Sequence, residues 1–196
     1  MRQRDRTVSP KRESEIALYA KAYAFEHYRM GKRRRASVLE FVIALQPRGS
    51  LLDVGTGRGE TMQFARGVGH YPVLGTEVVR ALLGEDVTYA EAHALPFASA
   101  SFDHVTCFDV LEHLTEPDLV PALSELHRVA RVSVTASASE TSSFLNGVEL
   151  HISKRSAAQW EAMIRSVWGN DAVRCGHAGA SPCWKLIKPS DTGAVQ

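Results

Sequence analysis

The apolar residues of this chain follow two different spacings, which separate predicted strands from predicted helices. Short apolar runs predict buried strands at residues 51–54, 72–77, 87–90, 102–108 and 131–135. Between these runs, apolar positions recur every three or four residues, as in residues 60–65 and 116–129, which predicts helices. Strands that alternate with helices favour an α/β protein with a Rossmann-like, doubly wound sheet that is mostly parallel and has helices on both faces.

Residues 1–35 differ from the rest of the chain in charge. They hold 11 lysines and arginines against 4 acidic residues, whereas the remainder holds 12 against 18. Apolar and aromatic positions at helical spacing, from Ile16 to His27, predict a helix in this basic segment that ends near Gly31. We therefore expect a basic N-terminal segment with its helix in residues 1–35, the main domain in 36–189, and a loose tail in 190–196.

Composition places the chain in an ordinary globular class. Its 196 residues suit one domain, and no apolar run approaches the 18 residues of a membrane span. The N-terminus lacks the apolar core of a signal peptide. Three cysteines, Cys107, Cys175 and Cys183, are odd in number and form no C-x-x-C pair. The cysteines indicate reduced structural thiols in a cytoplasmic protein. Because the apolar runs are short, we expect no membrane partner.

Three glycines follow the first strand at alternate positions, Gly55, Gly57 and Gly59. They allow the backbone to bend sharply and to approach a ligand closely. A dinucleotide fingerprint would be G-x-G-x-x-G, with a pyrophosphate at the helix N-terminus. Here the spacing differs, and the carboxylates of Asp53 and Glu60 flank the loop and would repel a phosphate. The loop therefore suits a ligand with an adenosine and a positive charge.

The segment from Asp53 to Gly59 resembles motif I of the class I S-adenosylmethionine-dependent methyltransferases, D/E-x-G-x-G-x-G. Glu77 ends the second predicted strand, where an acid can accept ribose hydroxyls, and its position agrees with the acid of motif II. Glu91 begins a segment similar to the one that reads the adenine edge, where members usually carry Asp. The resemblance implies S-adenosyl-L-methionine as the cofactor, and its binding residues as Asp53, Gly55, Thr56, Gly57, Gly59, Glu77, Val78, Glu91, Ala92, Phe108 and Asp109.

The segment D-V-L-E-H-L, residues 109–114, resembles the small-molecule branch of this family. Methyl transfer from a sulfonium requires alignment of donor and acceptor, together with removal of a proton from a hydroxyl or ammonium acceptor. His113 and His151 are the candidate bases, since histidine titrates in a suitable range. The predicted function is methyl transfer to a hydroxyl or amine of a small or medium-sized acceptor.

The same resemblance implies how the acceptor cleft is built. In the family an N-terminal helix commonly caps this cleft, which makes Tyr19, Tyr23 and Tyr28 candidates for its wall. Residues 136–153, rich in Ser, Thr and Gly, are expected to form a substrate loop, and residues 173–177 with 183–187 the terminal antiparallel hairpin.

Three alternatives stay open from the sequence. Lys32, Arg33, Arg34 and Arg35 could grip the phosphates of RNA or another nucleic acid. A divalent metal could assist 2′-O-methylation through residues 109, 112, 113 and 151, which resembles the E-x-x-E-H arrangement of small-RNA 3′-terminal methyltransferases, although the preferred interpretation assigns no metal. The chain could also be a noncatalytic, cofactor-binding partner subunit.

Overall fold

The structure is a computed structural model and describes residues 10–24 and 30–189. The helices in this part of the chain are α1 Pro10–Ala24, α2 Lys32–Ile43, α3 Glu60–Gly67, α4 Glu116–Val129 and α5 Ala157–Trp168. The strands are β1 Leu51–Val54, β2 Val73–Glu77, β3 Val87–Tyr89, β4 Phe102–Phe108, β5 Ala130–Ser137, β6 Phe144–Leu145, β7 Val148–Glu149, β8 Val173–Ala178 and β9 Ser181–Ile187.

Seven of these strands form one sheet in the order β3-β2-β1-β4-β5-β9-β8. The first five strands in this order, β3, β2, β1, β4 and β5, pair in parallel, whereas β9 is antiparallel to both of its neighbours. The strands β6 and β7 form a separate two-stranded antiparallel sheet. The predicted fold class, a mostly parallel Rossmann-like sheet with a terminal antiparallel hairpin, is confirmed.

Helices cover both faces of the sheet because successive strand side chains point to opposite sides. Leu51 packs in a cluster with Val38 of α2 and Met62 of α3. Its neighbour Leu52 packs on the other face, in the cluster that contains the apolar sides of α4 and α5. Two separate buried cores therefore hold β1 between them, which fixes the position of the glycine loop that follows it.

The predicted helix starts and strand positions agree closely with the structure, and two segments differ. The residues after β2, 78–83, were predicted from the sequence to form a short helix ending at Gly84, but they contain only the 3₁₀ turn Arg80–Leu82. The predicted substrate loop contains the β6–β7 hairpin. The S-x-x-Q pattern from Ser156 to Gln159 predicts a capping box, and the structure has one at the start of α5.

Several predictions concern residues outside the described ranges. The helix of the basic segment is described as α1 up to Ala24, and its predicted continuation to His27 lies outside the described residues. The same holds for residues 1–9, Tyr28 and the predicted tail 190–196. The domain division stays a prediction, and its boundary at residue 35 falls inside α2. Among the helices of residues 10–24 and 30–189, none combines the length and apolarity that crossing a bilayer requires.

Candidate active site

The strand order reverses at β1, between β2 and β4, and ligands of such sheets bind beyond the carboxyl ends of the strands at this point. A cavity of about 400 Å³ lies there. Its lining includes the glycine loop, the ends of β2 and β4, the inner side of α1, and residues of the segment around β6 and β7. Its volume is in the range of roughly 300–1,000 Å³ that small-molecule and cofactor sites occupy.

The glycine loop approaches its neighbours so closely that side chains would not fit. Gly55 and Gly57 have φ angles of 72° and 54°, which favour glycine. A Cβ atom on Gly55 would stand 2.3 Å from Val110, and one on Gly57 would stand 2.6 Å from the Tyr23 hydroxyl. The packing of the loop against Val110 and Tyr23 therefore requires glycine at both positions.

Glu77 is held by three backbone N–H groups. The amide of Gly57 donates to its Oε2 at 2.9 Å, and the amides of Val78 and Val79 donate to its Oε1 at 2.8 and 3.1 Å. Only 6% of the residue is exposed. A carboxylate has about four lone-pair positions, so these three bonds leave Oε2 able to accept one more donor from a ligand in the cavity.

Asp53 lies at the base of the same cavity and is almost fully buried. Its burial raises the pKa of the carboxyl from 3.8 to about 6, although the Thr106 hydroxyl donates to Oδ1 at 2.7 Å and opposes this shift. A positively charged ligand group next to Asp53 would favour its ionised form. The site therefore has an electrostatic preference for a cation at this end.

Arg34 connects α2 to the end of β4. Its Nη1 pairs with Asp109 Oδ2 at 2.5 Å, and its Nη2 donates to the Phe108 carbonyl at 3.2 Å. Asp109 has a φ of 54°, and Ser137 holds it there by accepting from its amide and donating to its carboxylate. The Nε of Arg34 is buried and has no hydrogen-bond partner among the described residues.

His113 lies where α1, the 3₁₀ turn Leu111–His113 and the segment after β7 meet. Its Nδ1 is 2.9 Å from the Leu150 carbonyl, which only accepts, so this nitrogen carries the proton. The Tyr19 hydroxyl contacts the same Nδ1 and donates to the Leu150 carbonyl at 3.1 Å. Burial lowers the pKa of His113 to about 4, and its Nε2 is left with a free lone pair.

His151 and Glu112 stand next to His113. The His151 ring packs edge-on against the His113 ring, with 4.7 Å between centroids, and its Nδ1 donates to the Thr141 carbonyl. Glu112 is fully buried; its Oε1 accepts from the Ser139 amide, while its Oε2 has no partner among the described residues. Burial and the charge of Asp109 raise the pKa of Glu112 to about 8.

The structure brings most of the sequence-predicted site residues to this one cavity. The lining includes both candidate bases and nine of the candidate cofactor residues, Asp53, Gly55, Thr56, Gly57, Glu77, Val78, Ala92, Phe108 and Asp109. Gly59 and Glu91 are not part of the lining. Gly59 has a φ of 74° as the residue before α3, and the Glu91 carboxylate lies 3.7 Å from His93. Tyr19 and Tyr23 contribute to the wall, as predicted for a capping helix.

Two arginines of the basic run pair with carboxylates of the domain. Arg34 pairs with Asp109, and Arg35 pairs with Glu60 at 2.5 Å. Lys32 and Arg33 are exposed. Sequence patterning missed the role of Arg34 in the cavity because a run of four cations does not show which of them faces a helix's inner side.

The comparisons with known proteins identify the fold first. The Burkholderia thailandensis 1,6-didemethyltoxoflavin-N1-methyltransferase, with bound 1,6-didemethyltoxoflavin and S-adenosylhomocysteine, superimposes with a TM-score of 0.70 at 17% identity over 93% of this chain and 92% of that chain. The putative methyltransferase in complex with the Haloferax volcanii Trm112 methyltransferase activator superimposes with a TM-score of 0.64 at 14% identity, over 90% of this chain and 96% of that chain. Haemonchus contortus phosphoethanolamine N-methyltransferase 2, in complex with S-adenosyl-L-methionine, superimposes with a TM-score of 0.62 at 14% identity, over 95% of this chain and 59% of that chain.

These TM-scores show a shared Rossmann-like fold, and at such low identities they show the fold alone. Residues 52–135 also match the family model of the methyltransferase domain. No curated protein matches the chain in sequence. The chain is thus similar to S-adenosylmethionine-dependent methyltransferases in fold and, over residues 52–135, in sequence, and two of these structures hold S-adenosyl-L-methionine or S-adenosylhomocysteine.

The residues of the cavity fit S-adenosyl-L-methionine. The glycine loop lines the cavity, and Gly55 and Gly57 carry no side chain that an adenosine would have to avoid. Glu77 has remaining acceptor capacity for a sugar hydroxyl, and Asp53 favours a cation nearby. The buried Nε of Arg34 is a donor without a partner and suits the cofactor's carboxylate.

Proposed function

We propose that this protein is an S-adenosylmethionine-dependent methyltransferase that acts on a hydroxyl or amine of a small or medium-sized acceptor. The observation that carries the proposal is that one cavity is lined both by the glycine loop with Asp53 and Glu77 and by His113 with His151. Groups suited to the cofactor and groups able to receive a proton therefore face the same space. Such proximity is what an in-line displacement needs from a protein.

On the cofactor side, each residue has a distinct role. Glu77 accepts a ribose hydroxyl through Oε2, while its bonds to the amides of residues 57, 78 and 79 keep the carboxylate oriented. Asp53 attracts the cofactor's ammonium group, and Arg34 donates from Nε to the carboxylate. When bound, S-adenosyl-L-methionine supplies an activated methyl group on a sulfonium. These contacts orient it toward the histidines.

On the acceptor side, His113 and His151 each have a fixed orientation. Their Nδ1 atoms donate to backbone carbonyls, which leaves the Nε2 lone pairs available to the acceptor's O–H or N–H. The low pKa of His113 makes it a hydrogen-bond acceptor that positions this group, and His151, the other candidate base, lines the same cavity.

A small acceptor is favoured by the walls of the cavity. Tyr19 and Tyr23 of α1 line one side, and Ser139 and Ser143 line another. The 1,6-didemethyltoxoflavin and phosphoethanolamine enzymes that share the fold act, by their names, on small molecules. Because Arg34 and Arg35 are paired with carboxylates, they contribute less to an outward cationic surface for a nucleic acid.

A panel assay with radiolabelled S-adenosyl-L-methionine tests the proposal. Phenols, catechols, primary amines and nitrogen heterocycles are offered separately, with total RNA as a further acceptor. We expect label in at least one small acceptor, at a rate that changes little with salt. Transfer to RNA alone, falling steeply between about 50 and 200 mM salt, would assign the enzyme to nucleic acid instead.

A further inference from the structure

Three residues at the histidine end of the cavity form a cluster of potential metal ligands. One nitrogen or oxygen atom of each of Glu112, His113 and His151 lies within 4.8 Å of those of the other two. The three side chains come from two separate parts of the chain, the turn after β4 and the segment after β7. The fold therefore brings them together across the cavity.

In each of these residues, one side-chain nitrogen or oxygen forms a hydrogen bond with the backbone, and the other forms none with it. The Nδ1 atoms of His113 and His151 donate to the carbonyls of Leu150 and Thr141. Oε1 of Glu112 accepts from the Ser139 amide. A histidine whose second nitrogen is fixed by a carbonyl has the tautomer and orientation that metal-ligating histidines show.

The carboxylate adds an observation that points to a ligand. Oε2 of Glu112 is in a fully buried residue and has no hydrogen-bond partner in residues 10–24 and 30–189. Leaving such an oxygen unpaired costs about 1–3 kcal/mol or more, so a purely structural role does not account for it. A cation in the cluster would satisfy it.

The surrounding charges are compatible with a cation. Asp109 is a further carboxylate close by in the chain, but it pairs with Arg34 and Ser137 and is not part of the cluster. This pairing also neutralises Arg34, the cation whose charge reaches Glu112 and His113. The four-residue ligand set considered from the sequence is therefore reduced to three.

We propose that Glu112, His113 and His151 bind one divalent transition-metal ion through Glu112 Oε2 and the two Nε2 atoms, leaving coordination positions open to the cavity. Two imidazoles and one carboxylate suit ions such as Zn²⁺, Fe²⁺ or Co²⁺. Ligand atoms around such an ion stand roughly 3 Å apart, so the cluster contracts on binding. His151 lies outside the main helices and strands, which allows this movement.

The consequence for catalysis rests on the proposed function. With an ion bound, the histidine lone pairs are occupied, and the ion itself would hold an acceptor oxygen and favour loss of its proton. The acceptor class becomes a hydroxyl-bearing molecule, with a catechol as the chelating example. Metal binding itself is independent of which acceptor the enzyme uses.

A titration of the metal-free protein with Co²⁺, followed by its visible absorption, tests the site. We expect one Co²⁺ per chain, displaced by Zn²⁺, and at least about tenfold weaker binding in both His151→Ala and Glu112→Gln. His151→Ala keeps the test valid if the buried Glu112→Gln variant fails to fold. His93→Ala is the matched control, since His93 lies 3.7 Å from two carboxylates, those of Glu91 and Asp118, and should bind like the wild type.

Three results would overturn the inference. They are no saturable Co²⁺ binding, equal binding in wild type and His151→Ala, and thiolate-to-cobalt absorption that indicates a cysteine ligand. Calorimetry with S-adenosylhomocysteine on the same samples separates the two proposals. A chain that binds this product but no Co²⁺ retains the proposed function and refutes the metal site. A chain that binds Co²⁺ but not this product supports the metal site and refutes the proposed function.

Discussion

Asp53→Asn is expected to make the folded protein more stable while weakening its cofactor site. The carboxyl is 2% exposed, and burial raises its pKa from 3.8 to about 6. Because the folded state holds the proton more tightly than the unfolded state, ionisation destabilises the fold as the pH rises from below 3.8 to about 6. Above this window the full penalty is present, about 3 kcal/mol.

The variant removes this penalty and keeps an oxygen that can accept from Thr106. Urea unfolding should therefore show a gain of about 3 kcal/mol at pH 8 and roughly half of that at pH 5. Calorimetry at pH 8 should show weaker binding of S-adenosylhomocysteine, because the negative charge near its ammonium group is lost.

Asp103→Asn is a control of opposite sign. Burial alone would raise the pKa of Asp103, but hydrogen bonds from Arg131 and Ser50 hold it below its ordinary value. Its ionised form thus stabilises the fold at neutral pH, and this contribution is lost as the pH falls through the lowered pKa. Asp103→Asn should destabilise the protein at pH 8. A gain for Asp53→Asn that is absent, or equal at both pH values, would refute the burial argument.

Three further variants test separate contacts. Tyr19→Phe removes the hydroxyl that links α1 to His113, and the free energy of unfolding in urea should fall by about 1 kcal/mol; an unchanged value would contradict the link. Arg34→Gln leaves its carboxylate partner, Asp109, without a counterion. Calorimetry should then show that this variant binds S-adenosylhomocysteine at least about tenfold more weakly than the exposed control Arg33→Gln. Equal affinity in the two variants would remove Arg34 from the site. Lys32→Gln combined with Arg33→Gln should change methyl transfer to a small acceptor by less than about twofold in the panel assay, whereas a steep loss would reveal phosphate contacts.

The sequence predicted the parallel part of the fold well because its signals are local. The strand at residues 102–108 has apolar residues at 102, 105, 107 and 108, and the glycines after β1 are required by backbone angles that other residues rarely adopt. The positions of Asp53 and Glu77 at strand ends, combined with the rule for ligand sites in such sheets, were enough to bring them to one crevice.

The contacts that complete the site depend on distances between segments far apart in the chain. Nothing in the local pattern shows that Tyr19 reaches a histidine 94 positions later, or that Arg34 pairs with Asp109. The i, i+3, i+4 spacing of Asp109, Glu112 and His113 would place them on one face of a helix, but these residues do not lie in an α-helix. The segment forms only a 3₁₀ turn, and Asp109 pairs with Arg34.

The most direct test of the cofactor site is calorimetric titration of S-adenosylhomocysteine into the wild type, Glu77→Gln and the exposed control Glu85→Gln. Glu77→Gln replaces one carboxylate oxygen with an NH₂ group that cannot accept from the amides that hold it. We predict one site per chain in the wild type and in Glu85→Gln, with binding at least about tenfold weaker in Glu77→Gln. Absence of binding to the folded wild type, or equal affinity in all three proteins, would contradict the account.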